Sequence, residues 1–173
     1  MPDAPGLELI RGEIEMDHPG AVLDTSFDRG QPALVVDPEQ IMPVLTWLKD
    51  SPGHGYGFLS SLHAVDYLPA EPRFHVHYEL LNRDRVERLR VKAPLGDPGD
   101  SDELPELDSC VGLFPTADFQ EREVYDFFGI AFRGHPNLTR ILLPDDYVGW
   151  PLRRDFPIGG EPVRFTYNER NYG

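Results

Sequence analysis

The sequence has a single cysteine, Cys110, among 173 residues. One thiol cannot close an internal disulfide, which fits a cytosolic, reducing compartment. Nor can it hold an iron–sulfur cluster by itself, since such clusters are held by several thiolates. The simplest reading of Cys110 is a small buried hydrophobe. There is no run of 18 apolar residues, so no segment reads as a membrane span. The opening stretch, MPDAPGLELIRGEIEMD, lacks the basic and apolar regions of a secretory leader. Positive charge is scarce: 16 Lys and Arg stand against 30 Asp and Glu, a formal net charge of −14. That balance argues against nucleic acid, whose binding rests on cations at phosphates, and against an anionic lipid surface. Gly53, Gly55 and Gly57 lack the spacing of a dinucleotide or phosphate loop. No internal repeat and no second domain is visible.

What is present concentrates toward the C-terminal third. Residues 119–173 carry 11 of the 19 aromatics, with 8 acids, 7 Arg and no Lys, a net of −1. Residues 1–118 carry 22 acids and 9 bases, a net of −13. Arginine mixed with large rings is the composition of a protein interface. The spacing predicts a helix over 119–128. Asp118 as N-cap and Glu121 three residues later make a capping box, and Val124, Phe127 and Phe128 recur on one face. Arg122 and Asp126 are placed to pair on the outer face. Gly129 supplies a left-handed cap, with Ile130 beyond it touching Tyr125.

After this helix come turns at Gly134-His135-Pro136 and Pro144-Asp145-Asp146, and extended X-Pro steps at Trp150-Pro151 and Phe156-Pro157. The last thirty residues have no periodic apolar face. Burying one large side chain gives about 1.5–3 kcal/mol, against roughly 1–2 kcal/mol per residue to order the backbone. Residues 144–173 are therefore expected to be loose alone and to dock on another protein. Arg140, Tyr147, Trp150, Arg153, Arg154, Phe156 and Arg164 are the expected contacts.

The preceding chain reads as one compact domain over 1–143, with residues 1–20 loose because Pro, Gly and acids dominate there. Ala33–Val36 is a short strand. Asp37 caps a helix with Pro38 at its first position, and Ile41, Val44, Leu45 and Leu48 make its core face. Pro43 conflicts with a regular start at Pro38. Residues 62–66 form a strand. Phe74, Val76, Tyr78 and Leu80 alternate with His75, His77 and Glu79, and Leu89, Val91 and Ala93 alternate with Arg88, Arg90 and Lys92, which predicts a hairpin turning at residues 82–84. Its polar face is read as exposed and held by cross-strand charge pairs. His75 and His77 share that face, but two imidazoles fall short of a zinc site and Glu79 stretches the geometry, so no metal is expected. Residues 97–108 carry six acids and no base and read as a solvated loop. His135 is read as a hydrogen-bonded structural residue of its turn.

The stretch EREVYDFFGIAFRGHPNLTRILLPDD, from Glu121 to Asp146, with GWPLRRDFP from Gly149 to Pro157 after it, resembles the signature of the C-type subunit of NADH:quinone oxidoreductase, respiratory complex I. Glu121, Arg122, Glu123, Tyr125, Asp126, Gly129, His135 and Pro136 are its characteristic positions. Weaker similarity reaches back to about residue 35. Phe119 departs from the pattern, where many members have Trp. The resemblance implies a peripheral subunit on the cytoplasmic side of the cell membrane that binds no cofactor. Its parent complex passes electrons from NADH through FMN and iron–sulfur clusters to quinone and translocates protons. It implies that the arm lies on the quinone-site subunit (D type), near the cluster-bearing subunit (B type). Related subunits occur in membrane-bound hydrogenases and F420-type dehydrogenases.

The expected fold is α+β, a single mainly antiparallel sheet with helices packed on one face and a long extended C-terminal arm. Two functions follow. One is a cofactor-free scaffolding subunit of such a complex. The other is a free-standing acid–base enzyme using Glu121, Glu123, Asp126 and His135, which would need shifted pKa values in a cleft. Glu121 and Glu123 do not share a helix face, which favours the first.

Overall fold

A computed structural model describes residues 2–99 and 103–157. In chain order the elements are α1 (Ala4–Asp17), β1 (Val22–Asp28), β2 (Gln31–Val36), a 3-10 turn (Pro38–Gln40), α2 (Ile41–Asp50), β3 (Phe58–Asp66), β4 (Phe74–Asn82), β5 (Glu87–Leu95), β6 (Glu106–Asp108), α3 (Ala117–Phe128) and β7 (Ala131–Arg133). The main sheet has the order β1-β2-β5-β4-β3. Only the β2–β5 contact is parallel; the other three are antiparallel. The α+β architecture read from the sequence is the one observed.

The hairpin of β4 and β5 pairs Phe74 with Leu95 and Asn82 with Glu87, so Phe74, Val76, Tyr78, Leu80, Leu89, Val91 and Ala93 all turn inward and are fully buried. Glu79 faces Arg90, their side chains bonded at 2.5 Å, as the charge pattern suggested. The other face is less exposed than expected: His75, Glu79, Arg90 and Lys92 are half-buried. His77 is buried, not exposed, because His63 of β3 stands directly opposite it. The α2 stripe Ile41, Val44, Leu45 and Leu48 packs into the same core. The Pro43 conflict resolves because the α-helix proper starts at Ile41, which leaves Pro43 in the first turn, where no intrahelical N–H is lost.

Residues 4–17 are not loose. Asp3 accepts the Gly6 N–H at 2.8 Å, Pro5 fills an early helical position, and Leu7, Ile10 and Ile14 bury one stripe. Three apolar residues at helical spacing outweigh the Pro, Gly and acids around them. β1 also went unread. It joins β2 through Arg29-Gly30, both at positive φ, the two-residue turn whose twist suits a hairpin. The acidic stretch is corrected at its end: Glu106–Asp108 pairs in parallel with Ala131–Arg133, and Leu107 opposite Phe132 is fully buried.

Candidate functional site

The signature residues gather where α3 meets the chain folded over it. α3 sends Ala117, Val124 and Phe128 into the core. It also buries two carboxylates, Glu121 and Asp126, both 0% exposed. A buried carboxylate is unfavourable unless donors surround it, and each has its own set.

Glu121 does not cap the helix. Thr116 is the N-cap, and Glu121 turns inward to accept from the Ser109 hydroxyl at 2.6 Å and the Cys110 N–H at 2.8 Å. Burial pushes its pKa up, and the donors offset only part of this. Cys110 is fully buried and its thiol is pushed up, by burial first and the Glu121 charge second, so it is not a nucleophile at neutral pH. His135 Nδ1 accepts from Asn137 N–H at 3.0 Å, which leaves the proton on Nε2 to donate to the Asp118 carbonyl at 3.1 Å. The ring, 0% exposed, pins the turn to the start of α3.

Asp126 organises the arm. Its Oδ2 accepts three successive N–H groups, from Ile141 at 3.1 Å, Leu142 at 2.8 Å and Leu143 at 2.9 Å. Its Oδ1 pairs with Arg140 at 2.7 Å. Burial alone would raise this carboxyl, but these donors hold it below its ordinary value. Arg140 also donates to the carbonyls of Tyr147 at 3.1 Å and Gly149 at 3.2 Å, and lies 4.7 Å over the Trp150 ring. Trp150 meets Tyr125 edge-on at 5.4 Å and covers Gly129, where any Cβ would overlap the indole.

Further along, the arm satisfies the open carbonyls at the end of α3. Leu152 N–H donates to Phe127 O at 3.1 Å and Arg153 Nε to Phe128 O at 2.7 Å. An ion cluster built on the buried pair Arg73 and Asp66 then fastens it to the sheet. Arg73 donates to Asp66 at 3.1 and 2.8 Å, to Asp97 at 2.6 Å and to Asp155 of the arm at 2.6 Å. Asp66 also accepts the Arg154 N–H at 2.8 Å. Burial would raise Asp66, yet Arg73 and these N–H groups lower it to about 2.

The sequence placed Arg140, Trp150, Arg153 and Arg154 on a partner; the structure ties each of them to its own domain. The reason is that α3 leaves carbonyls and a carboxylate in need of donors, and the arm supplies them. Residues 144–157 therefore hold to the body instead of standing free. Tyr147 stacks on Phe156 at 6.3 Å. Arg164, with the rest of 158–173, lies outside the described residues. Arg122 does not pair with Asp126; it donates to the carbonyls of Thr139 and Arg140, each at 3.1 Å. Glu123 and Pro136 face solvent. Glu121 and Asp126 are committed to separate bond networks and Glu123 points away, so these acids do not form one acid–base centre.

With its polar groups turned inward, the arm presents apolar side chains outward: Leu142 at 63%, Val148 at 87% and Leu152 at 52% exposure, with Phe119 of α3 at 63%. Val148 and Leu152 were not singled out from the sequence. For Leu142 the available signal was the apolar run Ile141-Leu142-Leu143 between two turns.

Known proteins bear on this arrangement. Residues 34–162 match the family described as respiratory-chain NADH dehydrogenase, 30 Kd subunit. The chain is 45% identical over 160 residues to the C-type subunit of NADH-quinone oxidoreductase from Roseiflexus castenholzii, covering 92% of this chain and 89% of that one. It is 46% identical over 150 residues to the protein of that name in Citrifermentans bemidjiense, covering 87% and 88%. Among solved structures it is similar to a trypsin-resistant fragment of Nqo5, with a TM-score of 0.61 and 30% identity over 76% of this chain and 98% of the fragment. The fold is shared with a chain of an archaeal membrane-bound sulfane sulfur reductase, with a TM-score of 0.68 and 24% identity over 95% and 90%.

Proposed function

The chain belongs to the family of the 30 Kd subunit of respiratory-chain NADH dehydrogenase, and we propose that within such an assembly it is a cofactor-free scaffold whose arm grips the quinone-site subunit. As the C-type subunit it holds that D-type neighbour and lies beside the cluster-bearing B-type one. Electrons run from NADH through FMN and iron–sulfur clusters to quinone in neighbouring chains, on the cytoplasmic side of the membrane, with protons translocated by the whole. No helix among the described residues is long and apolar enough to cross a membrane. The 45% identity to a C-type subunit of NADH-quinone oxidoreductase favours this assembly over a sulfane-reductase type, for which only the fold speaks.

The observation that carries the reading is the arm's polarity. Asp126, Arg140, Arg153 and Arg73 hold its backbone in place, while Leu142, Val148 and Leu152 are left to water. A surface already ordered loses little entropy on binding, and each such side chain contributes about 1.5–3 kcal/mol when covered. Replacing the three together by Ser in the intact assembly tests it. The isolated chain keeps its melting temperature, because those side chains make little of its core. The variant fails to co-purify with the quinone-site subunit and NADH:quinone activity falls with it. Full co-purification of the triple variant would sink the proposal.

A further inference from the structure

The sheet face opposite the helices holds a cluster that the arm does not use. His63 and His77 are direct cross-strand partners on β3 and β4, with ring centroids 5.0 Å apart. Glu79 lies two residues beyond His77 on the same face, opposite Ser61. One donor atom from each of His63, His77 and Glu79 falls within 4.8 Å of the others. His77 is 4% exposed, and its buried Nε2 has no hydrogen-bond partner among the described residues. A buried polar atom left without a partner calls for an explanation.

We propose that His63, His77 and Glu79 bind a divalent transition-metal cation of the zinc type. Two imidazoles and one carboxylate make a recognised zinc donor set, with water in the fourth position, and imidazole favours zinc, copper or nickel over magnesium or calcium. Bonds of about 2.0–2.2 Å to a tetrahedral ion bring donors within about 3.5 Å of each other, so binding draws the three side chains together. The surroundings suit this. Ser61 Oγ lies 3.4 Å from His63 Nδ1 and orients that ring. Arg90 holds Glu79 by Oε1 at 2.5 Å, which fixes the carboxylate. Lys92, which faces His77 on β5, reaches 3.5 Å to Ser26 on β1. A cavity of about 600 Å³ lined by Ser61, Glu79 and Arg90 lies on the Glu79 side of the cluster. Since β3 is an edge strand, the ion would clip that edge to β4.

Zinc sulfate titrated into the chelator-stripped 173-residue chain, followed by calorimetry, is the test. One ion binds per chain and the melting temperature rises with zinc. His63→Asn and His77→Asn each weaken binding by more than about 100-fold, beyond the loss typical of removing a group that only hydrogen-bonds a ligand. His63 is only half-buried, so His63→Asn keeps its fold even if the His77 variant does not; circular dichroism checks this. Glu106→Gln, at a distant acid, changes nothing. Absence of one-to-one binding, or binding that survives in His63→Asn, overturns the proposal.

Discussion

Asp126 and Asp66 fasten the arm at its two ends, each as a buried carboxylate surrounded by donors. In sequence neither shows this role: Asp126 is a signature position that reads as half of an exposed helix pair with Arg122, and Asp66 reads as the last residue of a strand. What a carboxylate bonds to is decided by side chains and N–H groups far along the chain, 88 residues on in the case of Arg154 and Asp66, and periodicity carries no information on that. The Asp66 geometry has a pH consequence. Its carboxyl takes up a proton near 3.8 when unfolded and near 2 when folded. Between those values the unfolded chain binds more protons, so stability falls as pH drops through the window. Its full share, about 2 kcal/mol, is present above about pH 4. Urea unfolding between about pH 2 and 5 should therefore show a shallower acid limb for Asp66→Asn than for the unaltered protein, and near neutral pH the variant should be less stable by about 3 kcal/mol, since Arg73 loses its main buried partner. Equal acid limbs would mean that Asp66 is not held as described.

At the scale of elements, α3 shows which end of a helix can be read from sequence. Its C-terminus was legible because Gly129 needs only its own backbone freedom: φ is +65° and its N–H bonds to Tyr125 O at 2.9 Å. Its N-terminus was not. The Asp118–Glu121 capping pattern was satisfied in form, but Glu121 had a better use for its charge in the buried Ser109 and Cys110 donors. Gly129→Ala should cost at least about 2 kcal/mol, joining the left-handed penalty to the displacement of Trp150 from its seat. Thermal denaturation measures the loss, and red-shifted tryptophan emission reports the displaced ring. An unshifted spectrum would place Trp150 elsewhere. The hairpin β4–β5 was readable for the reason that Gly129 was: strict alternation with a polar turn is a local signal. β6 and β7, three residues each, have too little alternation to be seen, and their pairing joins segments 25 residues apart, Glu106 to Ala131.

For the molecule as a whole, one contiguous core takes in residues from α1 to β7. A single core predicts a single transition. Ile14→Ala, in the segment expected to be loose, should lower stability by about 2–5 kcal/mol while unfolding remains one cooperative step in urea. A separate early loss of helix signal would show instead that α1 is merely appended. By itself the sequence determined the fold class, the core stripes of α2 and the hairpin, the end of α3 and the family, because these are written in the spacing of apolar residues and in one long contiguous motif. Tertiary structure alone decided that 150–157 holds to its own body, that Asp126 and Asp66 are its anchors, that Leu142, Val148 and Leu152 are what it offers outward, and that His63 stands against His77. Those outcomes depend on which distant groups need hydrogen-bond donors once water is excluded, a demand that exists only after the chain has closed on itself.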